Sequence, residues 1–487
     1  MPSLRQKAVE GTKWSAMSQG LTTGLQLLQL VVLARLLSPS DFGLIAMGMV
    51  VVGFARAFQD MGLSNAIIHR QDATPEGLSS LYWANVGAGT ISFLVVWAST
   101  PVVTSFFAEP RVGDLMFWLA LSLVISSLGH QFAVLLQKNL QFQLLALVQV
   151  TTTALGTTAA ITAAIMDQGL YALIWGHLTH ATTMSLALLI IGLRFWRPQL
   201  RLRGEDLRPY LSFGMYQMGE RTVNYFASNV DNLLIGRFLG PEALGVYSIA
   251  YNLIIMPVRK VNPVLTKVAF PILARKQNDD AALRRGYLEM IGLLGFIVVP
   301  VLIGLAVTAP LVVPVMFGDR WLAGVAIIQI LAFVGITKAL GNPIGSILMA
   351  KGRADIGFKW NVFVAILNSL VFYVAVQFSL LSLALAYAAV STVYLIGGRF
   401  LLRHVINLGW LPFLRALSTP VLCGLIMGIA VYFSHQAMLD LEWPNEVKLT
   451  ILIALGIGAY SLSSLALAYN YLRSLACMFL NRKPKSV

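Results

Sequence analysis

The stretch LARLLSPSDFG, residues 33–43, returns 202 residues later as IGRFLGPEALG, residues 235–245. Arg35 matches Arg237, Leu37 matches Leu239, Pro39 matches Pro241 and Gly43 matches Gly245. In the first copy Ser38, Pro39 and Asp41 spell a helix start: a capping hydroxyl, a proline in the first turn and an acid at the positive end of the dipole. Gly240, Pro241 and Glu242 serve the same purpose in the second. A fainter echo pairs SFFAEPR (105–111) with VMFGDRW (315–321). The chain builds one corner twice, and what flanks that corner decides the fold.

What flanks it is hydrocarbon-like. Of 487 residues, 57% are hydrophobic and 11% charged, where a soluble chain carries roughly a quarter charged residues. Apolar runs follow one another from end to end, so the solvent is a bilayer. The run after MPSLRQKAVEGTKW is too long for a signal sequence and has no cleavage site, so an uncleaved first span is expected. Cys423 and Cys477 both lie in apolar segments, which excludes a disulfide framework or a cysteine metal cluster.

About fourteen spans are expected, near 14–37, 42–67, 78–104, 115–136, 144–166, 170–193, 210–235, 242–268, 288–309, 322–348, 357–378, 381–400, 414–435 and 449–472. With the N-terminus inside, the inner segments together with the cytoplasmic ends of the spans beside them hold 27 of the 35 Lys and Arg residues, and the outer loops with their adjoining span ends hold 5. That bias puts both termini in the cytoplasm. It also accounts for the net charge of +14 by topology and anionic lipid, so nucleic acid is not needed as a partner. Six spans separate the copies of the corner, so the halves share one orientation and form a parallel repeat, a plan that transporters use. The fold class expected is an all-α polytopic membrane protein: a lobe at 1–193, a basic cytoplasmic linker at 194–209, a second six-helix lobe at 210–400, and two extra spans with a basic tail at 401–487.

Within the repeat, span 1 carries Ser15, Gln19, Thr22, Gln26 and Gln29 on one helical face, and adding 202 gives Gln217, Arg221, Asn224, Ser228 and Asp231 in span 7. Polar side chains in lipid must face protein or water. Two such stripes, one per lobe, are expected to line a shared wet cleft, although hydrogen bonding between neighbouring helices would serve either stripe as well. Arg56, Arg221 and Lys338 fall inside spans, with Arg259 and Lys260 lower in span 8; intramembrane charges are costly and usually functional. Arginine suits phosphate because its fork binds two oxygens at once. The expected ligands of an anionic, phosphate-like group are Arg56, Arg221, Lys338 and Arg259, and the expected polar lining for a hydroxyl-rich cargo is Gln19, Thr22, Gln26, Gln217, Asn224 and Ser228. Asp231, Glu220 and Asp60 are candidates for coupling to H⁺ or Na⁺, although Arg56 and Asp60, four residues apart, also fit a local ion pair. His130, His177 and His180 fit hydrogen bonding between helices better than a site.

No P-loop occurs, and no outer loop is long enough for the catalytic carboxylates of a membrane glycosyltransferase or polymerase. An enzyme is not expected, and no cofactor is.

RLLSPSDFG after span 1, FQDMGLSNAIIHR (58–70) and VDNLLIGRFLGPEALGVYSIAYNL (230–253) together resemble the Wzx-type polysaccharide flippases of the multidrug/oligosaccharidyl-lipid/polysaccharide exporter superfamily, most nearly their WzxC-like colanic-acid branch. The resemblance is strongest in spans 1–2 and 7–8 and thin after residue 400. It implies a bacterial inner-membrane transporter that turns over an undecaprenyl-pyrophosphate-linked oligosaccharide for exopolysaccharide or lipopolysaccharide assembly, beside a polymerase and other glycan-assembly proteins. It further implies that an arginine in span 2, here Arg56, meets the pyrophosphate in a cationic cavity. Drug exporters of the superfamily commonly carry an acid in span 1; none stands here, which weighs against an ion-coupled drug antiporter on the same fold. A membrane glycosyltransferase or polymerase, and a scaffold for glycan synthesis, are the alternatives of another class.

Overall fold

A computed structural model describes residues 4–59, 67 and 74–479; the side chains of several helical segments, 208–221 among them, lie outside that description. Every described element is helical. In order they are α1 (Leu4–Leu36), α2 (Pro39–Gln59), α3 (Pro75–Ala98), α4 (Thr100–Phe107), α5 (Arg111–Lys138), α6 (Phe142–Ile165), α7 (Tyr171–Gly192), α8 (Gly204–Arg275), α9 (Asp280–Met316), α10 (Gly324–Gly341), α11 (Pro343–Ala350), α12 (Ala354–Val376), α13 (Leu380–Ile406), α14 (Trp410–Ala437) and α15 (Asn445–Phe479). Among the described residues, twelve helices are long and apolar enough to cross a membrane.

Twelve differs from the fourteen read in the sequence for two physical reasons. The polar face of α1 makes that helix less apolar than the others, and spans 7 and 8 run on within the single helix α8, where Thr222–Pro263 is one apolar stretch. A straight helix of 42 residues would be about 63 Å long, twice the hydrocarbon thickness. It is not straight: Gly240 (φ 81°, ψ −177°) breaks it at the second corner, a backbone that glycine adopts without a Cβ penalty.

The residues fall into two compact units, Met1–Gly245 and Val246–Val487, and the division lies within α8. In the first unit α7 packs against α5 and α6, α1 against α6, and α5 against α2 and α3. The first corner forms as its sequence requires. Ser38 Oγ donates to Asp41 Oδ2 at 2.7 Å, the Ser38 N–H donates to the same oxygen at 2.9 Å, and the Asp41 N–H donates to Ser38 Oγ at 3.3 Å. Two orphan amides at the start of α2 are thereby satisfied.

The two corners touch each other. A Cβ on Gly43 would lie 1.7 Å from the Pro241 carbonyl oxygen, and one on Gly245 would lie 1.8 Å from that of Pro39. Each copy's glycine gives room to the other copy's proline carbonyl, and only glycine permits the approach.

The fainter echo has structure too. Phe107 and Phe317 are both buried, and each is followed by a residue at positive φ, Ala108 (52°) and Gly318 (94°). These left-handed residues close α4 and α9.

The basic linker is laced to the start of α3. Trp83 Nε1 donates to the Gln199 carbonyl at 2.8 Å, the Gln199 N–H to Ser79 Oγ at 3.1 Å, and the Arg203 N–H to Ser80 Oγ at 3.2 Å. Ser80 Oγ donates in turn to Asp206 Oδ2 at 2.6 Å, which Arg201 Nε also reaches at 3.1 Å. These bonds and the neighbouring guanidinium hold the Asp206 carboxyl below the usual carboxylate range.

In the second unit α9 packs against α10 and α14, α13 against α10 and α12, and α15 against α14. Asp279 caps α9 by accepting from the Ala282 N–H at 2.9 Å, and Ser379 caps α13 by accepting from the Ser382 N–H at 3.1 Å. Arg399, 3% exposed, lies over the rings of Tyr287 and Phe413 at 4.7 and 4.1 Å and donates to the Tyr287 hydroxyl.

Candidate functional site

In the first unit the α1 stripe divides. Gln19 and Gln26 are exposed. Thr22 is buried, and its hydroxyl donates to its own helix, to the Ser18 carbonyl at 2.8 Å. Gln29 turns to α6, where its Oε1 accepts from Thr157 Oγ1 at 3.0 Å. Thr22 and Gln29 therefore work as helix packing, and Gln19 and Gln26 are left to face what lies outside the bundle. Span 7 divides in the same way. Asn224 and Ser228 are exposed, whereas Asp231 is buried and its Oδ1 accepts from the Asn232 N–H at 2.8 Å. Gln217, Glu220 and Arg221 are helical, but their side chains lie outside the described residues, as Asp60 does altogether.

Arg56 stands in the last turn of α2 and is exposed. Its charge interacts with three groups of the same unit: Tyr225, His177 and His180. The Tyr225 hydroxyl donates to the carbonyls of Val50 (3.1 Å) and Met49 (3.3 Å), and Gly53 leaves the space that the tyrosine fills. The tyrosine thus ties the α2 turn before Arg56 to α8. The sequence reads His177 and His180 as packing residues and assigns Tyr225 no role. Its place beside Asn224 on the span 7 stripe was the available signal.

Lys338 and Arg259 belong to the second unit. Arg259 is exposed. Lys338, half-buried in α10, donates from Nζ to the Tyr251 hydroxyl at 2.8 Å and lies 5.1 and 4.9 Å from the rings of Tyr251 and Tyr387. Tyr247, Tyr251 and Tyr387 follow one another in near-parallel stacks with centroids 5.8 and 6.5 Å apart. Cation–π contact stabilises the ammonium at this depth by about 0.5–2 kcal/mol. A lone lysine in an apolar helix gives no sequence warning of such a cage. No group of His, Cys, Asp and Glu suited to a metal ion occurs among the described residues. In each unit a cation stands among hydroxyls or aromatic rings, a chemistry for binding an anion with a polar body.

A family model described as "Polysaccharide biosynthesis protein" matches residues 32–326. The chain is 34% identical to the teichuronic acid biosynthesis protein TuaB of Bacillus subtilis (strain 168), covering 94% of this chain and 95% of that protein. It is 32% identical to the lipopolysaccharide biosynthesis protein WzxC of Escherichia coli (strain K12), covering 86% and 87%. Among solved structures, the lipid II flippase MurJ in an inward closed conformation superposes with a TM-score of 0.76 at 13% identity, over 95% of this chain and 100% of that one.

Proposed function

The chain belongs to the polysaccharide biosynthesis protein family, and from that premise we propose that it is a flippase for a lipid-linked oligosaccharide, working in a bacterial inner membrane. The observation that carries the reading is family membership over nearly the whole chain, on a many-spanned helical fold shared with a lipid II flippase. The protein is a transporter, not an enzyme.

In this proposal a pyrophosphate docks on Arg56, with Arg221, Lys338 and Arg259 as further cations. The glycan runs along Gln19, Gln26, Asn224 and Ser228, with Gln217 in the same stripe, and the polyprenyl tail stays in lipid. Thr22 is withdrawn from the contact set, since its hydroxyl is spent on its own helix. The duplicated lobes supply alternating access by rocking, both termini stay in the cytoplasm, and a polymerase takes the product outside. H⁺ or Na⁺ coupling through Asp231, Glu220 or Asp60 belongs to the same proposal; for Asp231 it requires a buried carboxylate to open.

Reconstitution with a fluorescent polyprenyl-pyrophosphate oligosaccharide tests it. Transbilayer movement is expected from the wild-type chain and a fall of about 10- to 100-fold from Arg56→Gln, the worth of one charged hydrogen bond to a phosphate. No movement by the folded wild-type chain across substrates of this class would overturn the reading.

A further inference from the structure

The two imidazoles that feel the charge of Arg56 take no part in the docking proposed above. His177 and His180 are three residues apart in α7, so they share a face with Cβ atoms about 5–6 Å apart. Both are half-buried. Among the described residues the Nε2 of His177 is buried without a hydrogen-bond partner, a state that costs about 1–3 kcal/mol. The charged and titratable groups felt there are Arg56 and His180, and no carboxylate is among them.

The helix bearing them is held closely. A Cβ on Gly156 of α6 would meet the His180 Cβ at 2.8 Å and the Gly176 carbonyl at 2.9 Å, and one on Gly176 would meet Ala160 Cβ at 2.6 Å. Small residues let α6 and α7 approach at backbone distance, so the imidazoles sit on a rigid frame, as a binding constellation requires. Helix α6, which packs on α7, carries no charged side chain from Phe142 to Ile165, so it supplies no acid to the imidazoles.

We propose that His177 and His180 complete, with Arg56, a phosphate-recognition site inside the unit Met1–Gly245. The guanidinium holds two oxygens of one phosphoryl group, and imidazole N–H groups donate to the oxygens it leaves free. The unpartnered Nε2 is then the ligand's partner. This assignment rests on the flippase reading for the identity of the ligand, a pyrophosphate headgroup; a free pyrophosphate or an anionic lipid phosphate shares the same chemistry.

The test uses the full chain in nanodiscs of neutral lipid, titrated calorimetrically with inorganic pyrophosphate. Binding by the wild-type chain is expected, together with its loss in Arg56→Gln, a weakening of about fivefold or more in His177→Gln and in His180→Gln, and no change in His404→Gln at the exposed end of α13. Imidazole ¹⁵N resonances of the wild-type chain supply a readout that needs no folded variant: the His177 Nε2 signal moves on saturation with pyrophosphate. Competition by phosphatidylglycerol added to the nanodisc would identify a lipid headgroup as the source, and indifference to it would favour the pyrophosphate. Wild-type affinity in both histidine variants, immobile imidazole signals, or no binding at all overturns the site. Movement of labelled lipid by a chain whose histidine variants bind normally removes this inference and leaves the flippase standing. Histidine-dependent binding without movement does the reverse.

Discussion

Gly43 and Gly245 show how much a single missing side chain can decide. Alanine at either would set a methyl against a backbone oxygen, and overpacking of this kind typically costs 1–3 kcal/mol. Gly43→Ala and Gly245→Ala are expected to lower the thermal midpoint in detergent by similar amounts. Gly87→Ala, where nothing lies within 4 Å, should raise it slightly, because alanine favours a helix over glycine by roughly 0.5–1 kcal/mol. Equal midpoints in all three would show that the corners do not bear on each other. At Lys338 the aromatic cage makes a separate forecast. Tyr251→Phe removes the hydroxyl partner and keeps the ring, so it should disturb stability less than Tyr251→Ala, which removes both; the same melting measurement decides. Of these details the Ser38–Asp41 cap was legible, because capping is local and its residues are neighbours in sequence. The reciprocal glycine contacts were not, since repetition of a motif does not say that its copies meet.

Between α3 and the linker, the lacing is a matter of elements. Its acidic member carries the pH dependence. The folded carboxyl of Asp206 ionises below its ordinary value of about 3.9, so the stabilisation is complete above that value and fades as pH falls through the lowered folded value. Limited proteolysis across residues 194–203 should accelerate as pH drops below about 4, and Asp206→Asn should cleave fast at neutral pH and lose that dependence. Ser80→Ala, which removes one donor to Asp206 and one acceptor for Arg203, should also cleave faster at neutral pH, with rates unchanged from wild type counting against the clasp. The sequence marked 194–209 as a basic cytoplasmic connector but gave no hint that Ser79 and Ser80 receive it, because serine near a helix start reads first as a cap. Helix existence was legible almost everywhere from apolar runs. Polar faces were legible as faces, yet which of their members turn inward depends on neighbours such as Thr157, some 130 residues away in sequence.

At the scale of the whole molecule, the orientation rests on the distribution of Lys and Arg. Cysteine placed at Asp440 should react with an impermeant maleimide in intact spheroplasts, and cysteine at Leu200 only after permeabilisation; the opposite pattern would invert every assignment of inside and outside. The corner contact has one more consequence, and it concerns inheritance. Since each turn is shaped by its twin, a hybrid that joins the opening third of this chain to the remainder of a relative will assemble only if the donor keeps a glycine at the rank of Gly245, where a side chain would strike the Pro39 carbonyl. Two segments that share one sequence pattern are thereby bound to change together, and a library of such hybrids would reveal the pairing as survivors that match at both turns or at neither.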